Sequence, residues 1–183
     1  SFKKNVIVNM RQDVYRIKSI SNYKANILDL FCLIFFNMNK KYLIFGATGS
    51  IGSSLANQMY ADGNDCHLIG RDEKEIKKIS EKLNYSYSVC DVLKLGFVSD
   101  LLKDLSSIQI LGVAYCVGSI DIKPLKNTKA NDYVSSYVLN LVSVTEIIRA
   151  FQDNLKINKG SIVLFSTVAA KKGFPNHSII SSA

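Results

Sequence analysis

KYLIFGATGSIGSSLANQ, residues Lys41 to Gln58, decides how this chain folds. The apolar run Tyr42 to Phe45 reads as a short strand, and Ser50 to about Tyr60 reads as a helix with Ile51, Leu55, Ala56 and Met59 on its buried face. Between and within them lie Gly46, Gly49 and Gly52. A glycine directly after a strand permits a tight turn, the next lets the backbone approach a phosphate group, and one in the first helical turn lets helix and sheet pack closely. The amides at the helix N-terminus, at the positive end of its dipole, then face an anion. This order of elements predicts nucleotide binding.

Working outward, strand and helix alternate. Strand two, Cys66 to Ile69, ends at Gly70-Arg71. Asp72 is placed to cap the next helix, with Glu75 completing a capping box and Ile76, Ile79 and Leu83 forming the apolar stripe. Strand three, Tyr85 to Cys90, ends at Asp91-Val92. A third helix carries Phe97, Val98, Leu101, Leu102 and Leu105, and strand four is the nearly continuous apolar run Ile108 to Val117. A long helix from about Asn131 to Gln152 is expected to bury Val134, Val138, Leu141, Val144, Ile148 and Phe151, and strand five is Ile162 to Phe165. Near-continuous apolar strands between amphipathic helices imply an α/β fold, a parallel sheet covered by helices on both faces. Right-handed crossovers make it a doubly wound, Rossmann-like sheet.

Composition bounds the function. The 183 residues, 48% hydrophobic and 21% charged, suffice for one domain-sized core. The net charge of +8 is not a nucleic-acid footprint. About half of it falls in the first 37 residues, where Lys3, Lys4, Arg11, Arg16, Lys18 and Lys24 face only Asp13 and Asp29. No basic stripe with interleaved aromatics follows. Cys32, Cys66, Cys90 and Cys116 have neither paired spacing nor a histidine cluster, which implies no zinc or other metal site, no disulfide framework and a reducing, cytoplasmic setting. Three of these cysteines fall on predicted strands as small buried hydrophobes, and mid-strand His67 reads as a core histidine. The apolar stretch Ile27 to Phe36 is interrupted by Asp29 and too short to cross a bilayer, so no membrane partner is expected.

Ser1 to Asn37 differs from the remainder, with no glycine or proline and only patchy periodicity. Met38 then opens MNKKYLIFGATG. Residues 1–37 therefore read as an extension outside the fold and 38–183 as the nucleotide-binding domain, Met38 being a plausible start. The alternative is an N-terminal helix packed on the domain or lying at a membrane surface.

Several features in order resemble the short-chain dehydrogenase/reductase family over essentially all of Lys40 to Ala183: GATGSIG after strand one, GRDEKEIKK after strand two, CDV after strand three, the glycine ending AYCVG, the asparagine in YVLNL, and GSIVLFSTVAA followed by GFPNHS. The resemblance implies that Gly46, Thr48, Gly49, Ser50, Ile51 and Gly52 surround a cofactor diphosphate. It implies that Asp91 and Val92 hold the adenine, the Asp91 carboxylate accepting from the exocyclic amine; a helix cap is a compatible second role for Asp91. Gly118 matches the glycine that passes close to the nicotinamide ribose, although Tyr115 and Cys116 stand where the family usually has two asparagines. At the end of strand two, where NAD-preferring relatives carry an acidic residue, stand Gly70 and Arg71, whose guanidinium suits a 2′-phosphate. NADP is thus the expected cofactor and NAD the alternative, with Asp72 in reach of a ribose.

At the catalytic end the chain departs from the family. The resemblance puts the carbonyl-polarising serine at Thr167, preceded by Ser166, and a hydroxyl of either kind can donate to a carbonyl oxygen. Asn140 matches the asparagine that supports the family's lysine through water. The proton-transferring tyrosine, however, falls on Ile180, which has no proton to give, and the lysine position would be 184. His177 is the nearest substitute, though a histidine before a helix is commonly a cap. The expected function is a dinucleotide-dependent oxidoreductase acting on a small carbonyl or alcohol substrate with an atypical proton donor. The alternatives are a non-catalytic dinucleotide sensor or scaffold and, from the GxxGxxG spacing, an extended-type nucleotide-sugar epimerase. The fold is expected to be incomplete at its C-terminus, leaving strand five as an apolar edge. The 131–152 helix resembles the one through which family members form homo-oligomers.

Overall fold

A computed structural model describes residues 39–183; the N-terminal extension, Met38 and Cys32 lie outside the described residues. Five strands form one parallel sheet: β1 (Lys40–Phe45), β2 (Cys66–Gly70), β3 (Ser86–Val89), β4 (Gln109–Tyr115) and β5 (Ser161–Leu164). Their order is β3-β2-β1-β4-β5, the doubly wound arrangement expected, in which chain direction across the sheet reverses beside β1. β1 pairs on one side with β2, Leu43 opposite His67, and on the other with β4, Leu43 opposite Val113.

The period-two alternation of β1 feeds two cores. Leu43 and Phe45 face a layer that includes Leu101, Leu105, Val144, Ile147 and Phe151. Ile44 faces the other, with Ala56, Leu68, Ile76 and Leu83. The covering helices are α1 (Ser50–Ala61), α2 (Glu73–Leu83), α3 (Phe97–Asp104) and α4 (Ala130–Ile157), and a short α5 (Ser178–Ser182) ends the chain. Asp72 caps α2 by accepting from the Glu75 amide at 3.0 Å, the bond expected from the sequence.

Several element ends differ from expectation. β1 begins two residues early, because Lys40 and Lys41 still pair with Gln109 and Ile110 while Lys41 keeps an ion pair with Asp65 at 3.1 Å. β3 and β4 are shorter than predicted, so Cys90 and Cys116 sit just beyond strand ends and, of the described cysteines, Cys66 alone lies on a strand. In α1, Ile51, in the first turn, is exposed.

The largest correction is in α4. Val138–Val142 forms a π-helical turn between two α-helical segments, Ala130–Tyr137 and Ser143–Ile157. The wider turn rotates everything beyond it relative to everything before it. A single straight stripe through Val134, Val138, Leu141 and Val144 therefore fails: Val134 and Leu141 are exposed, whereas Val144, Ile147, Phe151 and Leu155 are buried. α4 is also the one described helix long and apolar enough to cross a membrane by length and composition, and here its C-terminal half packs against the sheet. β5 lies at the sheet edge, paired to β4, with Ile162, Val163 and Leu164 exposed as anticipated.

Candidate nucleotide cleft

At the C-terminal ends of the strands, where the sheet order reverses, a cleft of about 420 Å³ opens. Gly46, at φ +71°, turns the chain out of β1, a conformation that L side chains rarely adopt. Its amide donates to Ile69 O at 2.8 Å, tying the turn to β2. A Cβ on Gly52 would stand 2.2 Å from Gly46 O and 2.9 Å from the Ala47 Cα, so helix and turn meet with no room for a side chain. Gly49 is looser, its Cβ position 3.3 Å from Gly46 O, and it serves as the α1 N-cap with no side-chain cap. The first hydrogen bond of α1 runs from Ser53 N to Gly49 O at 2.8 Å, which leaves the amides of Ser50, Ile51 and Gly52 at the mouth of the helix. Such a cradle, filled by any Cβ and lined by donors, fits a diphosphate.

The cleft wall brings together Gly46, Thr48, Gly49, Arg71, Asp91, Val92 and Gly118 from the sequence-predicted set. Arg71 is exposed just beyond β2. Thr48 packs at the same place, its methyl 3.4 Å from the Cβ position of Gly70. Asp91 caps a turn rather than a helix: Oδ1 accepts from Leu93 N at 3.0 Å, while the N-cap of α3 is Gly96. Val92 is buried at the cleft base.

Asn140 sits in the π-turn. Its Nδ2 donates to Ser136 O at 2.9 Å and Ser136 Oγ at 3.2 Å, and its Oδ1 is 3.4 Å from the Cβ position of Gly118. Thr167 and Ser166, just past β5, and Ile180, in α5, are not among the residues lining the cleft. Thr167 Oγ1 accepts from Ala169 N at 3.2 Å and caps a 3-10 turn, Val168–Ala170. His177 is the N-cap residue of α5, with Nδ1 2.6 Å from Pro175 O and its ring 5.6 Å from that of Phe174.

Sequence reasoning missed part of the lining. Cys90, Cys116 and Val117 follow strand ends, where the strand-end rule could have placed them. Burial pushes both the Cys90 and Cys116 thiols up to about 11, so they line the cleft as neutral groups. Asp121, Asp132 and Ser136 carried no signal, because a loop and the first turns of α4 bring them in. Lys123 bridges Asp121 at 2.8 Å and Asp132 at 3.0 Å, joining that loop to the helix.

Order, switch point and glycine cradle define a dinucleotide-type Rossmann domain. The family model described as short chain dehydrogenase matches residues 40–183, and the chain belongs to that family. The 3-oxoacyl-[acyl-carrier-protein] reductase FabG of Rickettsia typhi is 28% identical over 132 residues, 68% of this chain and 54% of the relative. The chain thus spans about half the length of the curated relatives it matches. A solved short chain dehydrogenase/reductase family protein aligns with TM-score 0.72 at 23% identity, covering 78% of this chain and 61% of that one. A short-chain dehydrogenase/reductase from Vibrio parahaemolyticus aligns with TM-score 0.68 at 23% identity, covering 76% and 66%. At these identities the structural likenesses show the fold.

Proposed function

We propose that this chain is the cofactor-gripping part of an oxidoreductase that binds a nicotinamide dinucleotide, NADP in preference to NAD, and acts on a small carbonyl or secondary alcohol. The observation that carries this is the close approach of Gly52 to the Gly46 carbonyl beside uncapped helix amides, which supports a diphosphate at this turn. The cofactor, when bound, supplies the hydride. The protein's share is positioning: the Gly46–Gly52 turn holds the diphosphate, the free oxygen of Asp91 accepts from the adenine amine, and Gly118 admits the nicotinamide ribose. Arg71 takes the 2′-phosphate. Asp72, the alternative ribose ligand for NAD, already has one oxygen on the Glu75 amide.

On the substrate side Thr167 accepts from Ala169 N, so its own hydroxyl proton is free to donate to a substrate oxygen, with Ser166 adjacent and Asn140 supporting the site. His177, its Nδ1 occupied by Pro175 O, keeps Nε2 for a proton. The Rickettsia relatives, named as 3-oxoacyl-[acyl-carrier-protein] reductases, make a 3-oxoacyl thioester the first substrate to test. Exposed Val134, Tyr137, Leu141 and Val142 on α4 support self-association through residues 131–152. Free thiols at Cys66, Cys90 and Cys116 suit a reducing cytoplasm.

A second reading, a dinucleotide sensor without turnover, is favoured by Ile180. Calorimetric titration with NADPH and NADH tests the shared grip, and Arg71→Ala tests the preference: NADPH should weaken about tenfold and NADH less than twofold. Equal loss would reverse the cofactor assignment. NADPH oxidation in the presence of a 3-oxoacyl thioester separates enzyme from sensor, and Ile180→Tyr raising that rate would mark a reductase lacking its acid.

A further inference from the structure

The π-turn that holds Asn140 beside Gly118 has a prop from the sheet. In an unbroken α-helix the Ser143 amide would serve Leu139 O; here it donates to Val138 O instead. The Leu139 carbonyl, displaced from that bond, is met by two hydroxyls: Tyr115 OH at 2.8 Å and Ser143 Oγ at 2.7 Å, themselves 2.8 Å apart. Both residues are buried, Tyr115 at 4% and Ser143 at 1% exposure. Tyr115 is the last residue of β4, and its ring lies against Phe45, centroids 6.0 Å apart, at the end of β1. The strand that ends in Tyr115 continues through Cys116 and Val117 to Gly118 in the cleft wall. One phenol thus joins the strand ends to the helical turn.

We propose that Tyr115 is a positioning residue of the cleft: its hydroxyl holds the π-turn of α4 and so fixes Asn140 and Ser136 beside Gly118, on the side that receives the nicotinamide ribose. This rests on the dinucleotide reading above. The geometry gives the tyrosine a task that the departure from the family's asparagine left unexplained. Burial also keeps the phenol protonated, and therefore a donor. Without the π-turn, α-helical pairing would turn the helix beyond it by about 100°, one residue's rotation, relative to the helix before it, and the turn that carries Asn140 would be lost.

Tyr115→Phe removes the hydroxyl and keeps the ring packing. In the full chain, NADPH affinity should fall about 3- to 10-fold, the worth of one hydrogen bond, while 2′,5′-ADP, which lacks the nicotinamide half, should bind within twofold of wild type. Hydrogen exchange should quicken at the amides of 139–144 and not in α1. Ser143→Ala acts on the same carbonyl and should shift NADPH in the same direction; it carries the test if Tyr115→Phe fails to fold. Equal loss of both ligands, or no loss of NADPH in either variant, would overturn the proposal. Wild-type protein that binds neither ligand would instead overturn the dinucleotide reading, and the role of Tyr115 with it. Unchanged exchange at 139–144 would refute the prop itself, whatever the ligands do.

Discussion

Acid should loosen this domain through His67, and the structure gives the size of the effect. A chain of side chains crosses the β2–β3 pair: Lys41 Nζ donates to Ser86 Oγ at 3.1 Å, and Ser86 Oγ lies 2.8 Å from His67 Nδ1. On the other side His67 Nε2 lies 2.9 Å from Ser88 Oγ, which donates to Asp104 Oδ2 at 3.0 Å. Ser88 spends its proton on the carboxylate, so His67 must donate from Nε2 and accept at Nδ1: the neutral ring is required. Protonating Nδ1 would leave Ser86 Oγ facing two cationic donors. Burial, with Lys41 adding repulsion against the weaker pull of Asp104, lowers the His67 pKa from 6.5 to about 4.

Because the folded pKa lies below the unfolded one, the unfolded chain binds more protons between these values. Stability is therefore full above pH 6.5 and falls as pH drops toward 4, by about 3 kcal/mol at 1.36 kcal/mol per pH unit. That is a large share of a domain's typical ~5–15 kcal/mol. Urea unfolding of wild type and His67→Gln at pH 7.5, 6, 5 and 4.5 isolates the effect, since Lys41, Asp65 and Asp104 remain in both and the amide can still donate and accept. The free-energy gap between the two proteins should narrow by about 2 kcal/mol or more as pH falls from 7.5 to 4.5. Parallel curves would show that His67 does not titrate this way.

Gly52→Ala should abolish measurable NADPH binding, because its Cβ would lie 2.2 Å from a backbone oxygen, whereas Gly49→Ala, at 3.3 Å, should cost less than about fivefold; calorimetry of both variants decides, and equal effects would refute the cradle. Phe151→Ala should cost about 3–5 kcal/mol in urea unfolding, since the ring is 2% exposed in the core. Val134→Ala, on the same helix but 57% exposed, should stay within about 0.5 kcal/mol.

The last pair measures where sequence reading stops. Near-continuous apolar strands and glycines at 46, 49 and 52 were legible because each reports a local constraint: burial on both faces, or a turn no side chain fits. The doubly wound parallel sheet followed from alternation and handedness, whereas the order β3-β2-β1-β4-β5 is read from the structure. Val134 and Leu141 were misread because periodicity assumes one helical phase, and the π-turn changes that phase without any glycine or proline to announce it. The cleft residues Asp121, Asp132 and Ser136 were invisible for a related reason. They reach the site through the path of a loop and the Lys123 bridge, neither of which leaves a repeat in the sequence.

The two halves of the site also differ in what they are made of, and this explains why they are unequally readable. Diphosphate binding, as proposed, would use amides and the absence of Cβ atoms, so its evidence is a few glycines in fixed order after a strand, and Gly46 and Gly52 have that geometry here. Proton transfer needs a specific side chain at one point, and position 180, half-buried in the short helix α5, holds an isoleucine, which has no proton to give. Tyr115 lies between these regimes. Its side chain acts on the backbone, through the Leu139 carbonyl. Under the proposed function a chain can lose its acid while keeping its grip, so cofactor affinity, before turnover, is the property to measure first on residues 39–183.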